Sequence, residues 1–493
     1  MKNLLAAVLL AAVSCGATRN LTFPDGFWFG AGSAAYQVEG AWNTSGKGES
    51  IWDRLSHSKQ ALNPQTETAD VAADQYHHYK EDVQGLKKVG FNFYRFSVSW
   101  PRVLPKGDLS VINQDGLDYY NNLINELVNN DIVPIVTMYH WDLPQHLQDL
   151  GGFANDIIID YFEDYANLLF THYGDRVKWW ITFNEPLSFV NGYSSTMIAP
   201  AVNAPGVGLY LAAHNVLKAH ARVYHLYDDH FRSQQRGKVG ITLNTEYPMP
   251  KTNSEADINA TEIYLQFQLG WFAHPIYSSE GDYPAVMKER VANKSRAEGL
   301  PRSRLPEFDE HWVKYIRGTH DFYGMNLYTA NLISLSNTTA DATVPPNSDM
   351  GSIIAEQDPS WPYEGLNSFR YTPFAMRKML KLISDNYNNV SIFITENGWC
   401  DHGEINDTMR ARFLVNYYAA VLDAIHLDNV NVIGHTTWAF VDTFEWFTYS
   451  TRFGLFYVNF TDPARPRTPK FSTTILSSII KTRKLPEEYL DKE

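Results

Sequence analysis

Eight short apolar runs recur along the chain and constrain its fold more than any other feature. They lie at residues 26–34, 91–100, 132–140, 177–183, 238–244, 320–328, 390–396 and 432–440. Their apolar residues do not alternate cleanly with polar ones, which is typical of parallel strands buried on both faces. Amphipathic helix-like segments separate them, at 117–130, 156–173, 211–227, 374–387 and 409–426. This alternation predicts an α/β protein that forms a single (β/α)8 barrel.

Two longer gaps in the pattern, 41–75 and 331–370, are polar and rich in Gly, Pro, Asn and Ser. We predict that they form elaborated loops at the C-terminal face of the barrel rather than further domains. Residues 1–17 differ from the rest, because a basic start, a short apolar run and small residues follow one another there. The sequence therefore predicts a secretory signal peptide at 1–17 and one domain at 18–493.

An exported, glycosylated protein also accounts for the sequons. Eight asparagines begin an Asn-x-Ser/Thr triplet and are candidate glycosylation sites: Asn20, Asn43, Asn259, Asn293, Asn337, Asn389, Asn406 and Asn459. The net charge of −14 argues against nucleic acid as a partner. Beyond the leader, no segment approaches the length of a membrane span. Only Cys400 remains outside the leader, and we predict a packed free thiol there. The sequence does not indicate an oligomeric state.

Polar and aromatic side chains stand at or just beyond the ends of the predicted strands. They are Gln37, Arg95, His140, Asn184, Glu185, Asn244, Asn326, Tyr328, Glu396, Trp438, Glu445 and Trp446. The C-terminal ends of all eight strands of such a barrel surround one mouth, where catalytic residues lie. We therefore expect residues that are distant in sequence to converge there.

Two glutamates among these residues suit acid and base work on a glycosidic bond, in which one is protonated and the other ionised. We expect Arg95 and Tyr328 to hold Glu396 as a carboxylate. Burial and the charge of Glu396 should raise the pKa of Glu185. Asn184 is placed to bind a sugar 2-hydroxyl, an interaction that strengthens in the transition state.

The remaining residues suit sugar binding. Gln37, His140 and Glu445 can bond hydroxyls, and Trp438 and Trp446 offer apolar faces to the C–H surface of a sugar ring. No cofactor or metal is predicted. The neighbouring histidines at 77 and 78 do not have the i,i+4 spacing of a helical ligand pair.

Six motifs occur in a fixed order along the chain and are highly specific together: FWFGAGSAAYQVEGA, YRFSVSW, HWDLP, TFNEP, ITENG and DTFEW. From about residue 23 to 490 the chain resembles glycoside hydrolase family 1, the β-glucosidase family. The resemblance implies a retaining β-glycosidase, with Glu185 as acid/base and Glu396 as nucleophile, their carboxyl groups about 5–5.5 Å apart. It also implies sugar-binding roles for Gln37, His140, Asn184, Glu445 and Trp446, with Trp438 as a stacking platform. Arg95, Asn326 and Tyr328 match the groups around the nucleophile.

Five positions depart from the usual family pattern. Thr196 and Ala201 stand where glycines are expected, and Leu327 stands where a ring is common. Thr443 and Thr448 are substitutions within DTFEWFTY. None removes a catalytic group, but the loop of Thr196 lies near the expected entrance for the leaving group and leaves substrate choice open.

Several functions remain open at this point. Glu445 would repel a sugar phosphate, which favours an unphosphorylated sugar, glucose first, with galactose or fucose tolerated. The leaving group is unreadable, so the same site could serve a thioglucosidase similar to myrosinase or a transglycosylase. A non-catalytic glycan-binding module on the same barrel is disfavoured, because both glutamates are present.

Overall fold

A computed structural model describes residues 19–336, 347–366 and 368–492. Eight parallel strands close into a barrel, each beside its neighbours in chain order, and the first pairs with the last through Trp28 and Gly434. They are β1 (Trp28–Gly32), β2 (Phe93–Ser97), β3 (Val133–Tyr139), β4 (Trp179–Asn184), β5 (Lys238–Asn244), β6 (Tyr323–Asn326), β7 (Ile392–Asn397) and β8 (Val432–Thr437). The predicted fold class is confirmed.

The five predicted helices are present within a few residues of their expected bounds. They run over Gln114–Asn129, Ile158–Tyr173, Gly208–Leu226, Pro373–Asn386 and Thr408–His426. In the first of these, Leu117, Tyr120, Leu123, Ile124 and Leu127 form one buried stripe, as the spacing of apolar residues predicts.

Further helices pack around the barrel and decorate its faces. They are Ala35–Val38, Ile51–Leu62, Gln75–Val89, Trp100–Val103, Gln145–Asp149, Pro186–Val190, Arg232–Gln235, Glu255–Leu265, Trp271–Tyr277, Ala285–Ala297, Glu310–Ile316, Asn347–Met350 and Phe471–Thr482, with π-helical turns at Tyr227–Phe231 and Gln266–Gly270 and 3-10 turns at Gly152–Ala154, Asn191–Tyr193 and Glu487–Tyr489. Short strands outside the barrel are Tyr247–Pro250, Ala330–Leu335, Ile353–Glu356, Phe456–Val458 and Arg467–Pro469.

The segment 41–75, predicted as an elaborated loop, contains a helix that the sequence analysis did not identify. A helix covers Ile51–Leu62, and Ser50 begins it with a capping box in which Ser50 and Asp53 each bond the other's backbone N–H. The polar composition of the segment hid this signal. The second gap is also more ordered than predicted, because Ile353–Glu356 pairs antiparallel with Ala330–Leu335. Residues 337–346 and 367 of that gap lie outside the described residues.

The barrel interior changes from apolar to polar along the strands. Phe93, Ile135, Trp179, Ile181, Phe322 and Phe393 form one buried cluster near the ends where the strands begin. Side chains two residues apart share a face of a strand, so Arg95 follows Phe93 on the inward face, one step nearer the mouth. Aromatic rings thus close one end of the barrel and leave polar groups at the other.

The predictions about secretion, glycosylation and the free thiol concern the N-terminal segment, the sequon asparagines and Cys400. The signal segment 1–17 and Asn337 lie outside the described residues. Asn20, Asn43, Asn259, Asn293, Asn389 and Asn406 are exposed, and Asn459 is partly exposed. Cys400 is buried and free. No helix in the described ranges is long and apolar enough to cross a bilayer.

Candidate active site

Eleven of the twelve predicted site residues line one cleft of about 660 Å³ at the mouth of the barrel. They are Gln37, His140, Asn184, Glu185, Asn244, Asn326, Tyr328, Glu396, Trp438, Glu445 and Trp446. The twelfth, Arg95, lies beneath the cleft floor and is 1% exposed. The expected convergence of strand ends therefore occurs, and all eight strands or the segments after them contribute to it.

Glu185 stands at the turn between β4 and the helix Pro186–Val190, with a positive φ of 51°. Its Oε1 accepts a hydrogen bond from Asn326 Nδ2 at 2.7 Å, and its Oε2 accepts one from Ser188 Oγ at 2.9 Å. Burial first, and then the charge of Glu396, raise the pKa of Glu185 to about 8. The carboxyl group is therefore protonated at neutral pH.

Glu396 lies near the end of β7, and each of its oxygens has a donor. Arg95 Nη1 donates to Oε1 at 2.6 Å, and the hydroxyl of Tyr328 donates to Oε2 at 2.9 Å. Burial and the charge of Glu396 raise the pKa of Tyr328 well above its usual value, so the phenol keeps the proton that it donates. The two glutamates thus have different surroundings, since Glu185 has only uncharged donors and Glu396 is ion-paired.

A chain of hydrogen bonds connects the two glutamates through asparagines. Asn184 Oδ1 accepts from Arg95 Nη2 at 2.6 Å and from Asn326 Nδ2 at 3.2 Å. These two donors fix the orientation of the amide, so its Nδ2 faces His140 Nε2 at 3.0 Å. Burial and the nearby charge of Arg95 hold the pKa of His140 well below its usual value, and the imidazole is neutral.

We call Gln37, Glu445 and Trp446 the sugar-binding edge of the cleft, after the role predicted for them. Gln37 Nε2 donates to Glu445 Oε2 at 3.0 Å, and Thr443 Oγ1 donates to the same oxygen at 3.1 Å. Burial is the largest cause that raises the pKa of Glu445 to about 8, with contributions from the charges of Glu396 and Glu185. One of the positions that departs from the family pattern, Thr443, therefore supports a predicted sugar-binding residue.

Aromatic rings form a continuous wall beside these polar groups. Trp438 is nearly parallel to His140, with ring centres 5.8 Å apart. Trp446 stacks on Trp141 at 4.2 Å and packs against Trp52 at 4.7 Å. The indole N–H of Trp141 donates to the carbonyl of Asn184 at 2.9 Å, which ties the wall to the end of β4.

Sequence reasoning missed several residues that line the cleft or support it: Trp52, Trp141, Ser188, Ile198, Thr245, Glu246, Leu366, Ser368, Phe369, Phe447, Thr448, Thr451 and Phe453. Trp141 directly follows His140 within HWDLP, and Ser188 lies three residues after Glu185, so adjacency could have identified both. Thr245 and Phe447 likewise follow predicted residues directly, and Trp52 lies in the helix Ile51–Leu62. The remaining residues come from segments that no strand pattern places at the mouth.

The cleft offers carboxylate, amide and aromatic groups rather than a ligand set for a metal. In the described ranges no group of three or more His, Cys, Asp or Glu side chains is arranged to hold a metal ion. The adjacent His77 and His78 contact acidic side chains of their own surface region, Asp74 and Glu81.

Comparison with known proteins agrees with this geometry. The family model for glycosyl hydrolase family 1 matches residues 19–485. Myrosinase 1 of Brevicoryne brassicae is 46% identical over 465 residues, which cover 94% of this chain and 99% of that protein. The cytosolic beta-glucosidase of Homo sapiens is 42% identical over 471 residues, which cover 94% and 99%. The solved structure of aphid myrosinase superimposes with a TM-score of 0.89 at 45% identity and covers 94% of this chain and 100% of that one.

Proposed function

The chain belongs to glycosyl hydrolase family 1, and from this premise we propose that it is a retaining β-glucosidase that acts on unphosphorylated β-glucosides. The observation that carries the proposal is the contrast between its two central glutamates. Uncharged donors surround Glu185, whose pKa is raised to about 8, whereas Arg95 and Tyr328 bind Glu396. A protonated acid beside an ionised nucleophile is what a double displacement requires.

In the first step Glu396 attacks the anomeric carbon while Glu185 gives its proton to the glycosidic oxygen. The bond from carbon to the leaving oxygen breaks, the leaving group departs as an alcohol, and a glycosyl ester forms on Glu396. Glu185 is then ionised. In the second step it takes a proton from water, the water oxygen attacks the same carbon, and Glu396 leaves as a carboxylate.

The sugar-binding edge supports a preference for an unphosphorylated sugar. Gln37 and Glu445 are held together by a hydrogen bond of 3.0 Å and present polar atoms beside the ring of Trp446. A carboxyl group there forms hydrogen bonds with free hydroxyls, and the described cleft lining has no Lys or Arg to bind a phosphate. Trp438 supplies the apolar face for the C–H surface of the ring. These contacts support glucose as the preferred sugar, with galactose or fucose tolerated.

The deciding experiment is intact-mass analysis after incubation with a 2-deoxy-2-fluoro β-glucoside that has a good leaving group. The fluorine slows both steps and lets the ester accumulate. We expect one adduct per chain, and peptide mapping should place it on the peptide that contains Glu396. Absence of an adduct and of release from an ordinary aryl β-glucoside would contradict the proposal and favour a non-catalytic glycan-binding module.

A thioglucosidase is the second candidate, because a relative at 46% identity is named Myrosinase 1. An S-linked leaving group needs little protonation when it departs, whereas an O-linked alkyl alcohol needs a full proton. Retention of Glu185, with two uncharged donors on its oxygens, therefore supports O-glycosides. A Glu185→Gln variant should lose far more activity toward an alkyl O-glucoside than toward a matched S-glucoside.

Transglycosylation uses the same ester and differs only in the acceptor. Product analysis with and without an added alcohol separates it from hydrolysis. For a hydrolase we expect free glucose as the main product at modest acceptor concentration. Predominant transfer to the acceptor under those conditions would assign the chain as a transglycosylase.

We further propose that the protein is secreted and N-glycosylated, since residues 1–17 have the pattern of a signal peptide. Exposure of Asn20, Asn43, Asn259, Asn293, Asn389 and Asn406 supports this proposal. Expression of the full chain in insect cells should yield an N-terminus shortened by the leader, in the medium, with a mass that falls on treatment with an N-glycosidase. Retention of an intact, unmodified chain inside the cells would contradict it.

A further inference from the structure

The side of the cleft that receives the leaving group follows from the position of Glu185, and this inference rests on the proposed function. The acid must stand beside the leaving oxygen, so the leaving group lies along the flank of Glu185. Ser188 Oγ donates to Glu185 Oε2, and Asn244 Nδ2 donates to Ser188 Oγ at 3.0 Å. Asn244 ends β5, and Thr245 and Glu246 follow it along the cleft wall. The segment after β5 therefore borders the leaving-group side.

Glu246 is an unusual residue for this wall. Its side chain is partly exposed and lines the cleft. No Lys, Arg or His side chain of the described ranges forms an ion pair with Glu246, and burial raises its pKa. A carboxyl group that has lost much of its hydration without gaining a cation is poised to accept a hydrogen bond from a ligand.

The described lining of the cleft contains no Lys or Arg that could offset the charge of Glu246. Of the other three carboxyl groups that line it, Glu185 and Glu445 have pKa values raised to about 8, and Glu396 is paired with Arg95. Lys59 is not part of the lining; its Nζ lies 4.8 Å from the ring centre of Phe447 and donates to the carbonyl of Met197. An anionic leaving group would therefore meet Glu246 with no cation in the described lining to offset its charge.

Apolar side chains also line the cleft, among them Ile198, Leu366, Phe369 and Phe447, and Phe447 is 47% exposed. Such side chains suit a ring or short apolar body. The hydroxyl groups of the lining, such as those of Ser368 and Thr451, can donate a hydrogen bond but carry no positive charge that would offset a sulfate or carboxylate.

We propose that Glu246 selects the leaving group by accepting a hydrogen bond from a hydroxyl, amide or ammonium donor on an uncharged or cationic apolar aglycone. The same carboxyl group discriminates against aglycones that carry sulfate, phosphate or carboxylate. Like charges brought together in a partly desolvated cleft repel each other strongly. The natural substrate class is then a β-glucoside of a neutral or basic, hydroxyl-bearing apolar alcohol.

The test uses two aryl β-glucosides that differ only in the para substituent, a carboxamide in one and a carboxylate in the other. The wild-type enzyme should favour the amide in kcat/KM by about tenfold or more, and Glu246→Gln should reduce this ratio by about fivefold. Glu289→Gln provides the matched control, because it removes the same charge from the exposed face of the helix Ala285–Ala297. This control should leave the ratio unchanged.

A second measurement uses only the wild-type enzyme and does not depend on the folding of a variant. Salt screens charge repulsion, so the preference for the amide should shrink as sodium chloride rises from about 0.02 to about 0.5 M. An active enzyme whose ratio is the same in wild type and Glu246→Gln would overturn the inference and leave the proposed function intact. An enzyme that hydrolyses neither glucoside would reject the proposed function, and the inference with it.

Discussion

The guanidinium group of Arg95 lies 2.6 Å from the carboxylate of Glu396, and the two side chains are only 1% and 5% exposed. The other terminal nitrogen of Arg95 donates to Asn184 Oδ1, also at 2.6 Å. One planar group therefore fixes both the proposed nucleophile and the amide expected to bind the 2-hydroxyl. A lysine has one point-like ammonium and cannot reproduce this geometry.

Replacement of Arg95 by lysine should lower kcat/KM by about 100-fold or more, although the positive charge is kept. The reason is that a single ammonium cannot hold Glu396 and Asn184 in register. Steady-state kinetics with an aryl β-glucoside provide the measurement. Arg377→Lys is the control, since Arg377 pairs with Asp428 at the surface and should stay within about twofold of wild type. Near-normal activity of Arg95→Lys would show that the simultaneous hydrogen bonds of the Arg95 guanidinium to Glu396 and Asn184 are not needed.

The pH dependence of the reaction should show an alkaline limb near pH 8. The pKa of Glu185 is raised to about 8, so the acid form dominates below that pH and is lost above it. For a glucoside with a poor leaving group, kcat/KM should then fall about tenfold per pH unit above the limb. Because the pKa of Glu445 is also raised to about 8, Glu445→Gln is the control. The limb should persist in Glu445→Gln and disappear in Glu185→Gln with an activated leaving group.

Removal of the negative charge at Glu396 should lower the pKa of Glu185. The charge of Glu396 is the second cause of the raised value, and burial is the first. In Glu396→Gln the pKa of Glu185 should therefore fall below 8 and stay above the usual value for a glutamic acid. Carboxyl 13C NMR titration measures the pKa of Glu185 in the variant and in the wild type. An unchanged value would mean that burial alone sets the acidity.

Most of the fold was predictable because barrel strands leave a strong trace in the sequence. All eight were identified, and the list of polar residues at their ends included Arg95, which the structure places beneath the cleft. The length and the apolar composition of each strand are local features, so a single sequence is enough to identify the strands. The helix at Ile51–Leu62 was missed, since its polar surface outweighs one buried stripe in composition although Ser50 and Asp53 form a capping box.

The leaving-group side was not predictable in the same way. Ile198, Leu366, Phe369 and Phe447 come from segments without regular helix or strand structure. Their positions depend on tertiary packing rather than on a repeating pattern. Glu246 shows this clearly, because it lies two residues beyond a correctly identified strand and only the structure shows that it lines the cleft.

Substitution of Ala201 by glycine should relieve the backbone strain at this position. Ala201 has a φ of 62°, a left-handed conformation that costs a residue with a Cβ about 1 kcal/mol and glycine almost nothing. Ala201→Gly should therefore raise the free energy of unfolding by about 0.5–1 kcal/mol. Chemical denaturation measures the change. Ala204→Gly is the control, since Ala204 is not among the positive-φ residues, and that change should destabilise. Destabilisation by Ala201→Gly would contradict the expectation.

A buried ionic cluster anchors the segment that carries Glu445 and Trp446. Lys470 is fully buried, and its Nζ lies 3.0 Å from Asp442 Oδ1 and 3.3 Å from Asp401 Oδ1. Asp442 also accepts from Arg452 at 3.0 Å. Its contact with Lys470 ties the segment after β8 to the C-terminal part of the chain.

Replacement of Lys470 by methionine would leave three buried aspartates, Asp401, Asp407 and Asp442, with only Arg410 and Arg452 as cationic partners. The loss of one partner from such a pair costs about 3–5 kcal/mol, and the free energy of unfolding should fall by that amount in urea denaturation. Lys314→Met removes an exposed pair with Glu310 and should cost less than about 0.5 kcal/mol. Because the freed segment carries Glu445, KM should rise more than kcat falls. A loss below about 1 kcal/mol with unchanged KM would show that the cluster neither stabilises the fold nor positions the sugar-binding edge.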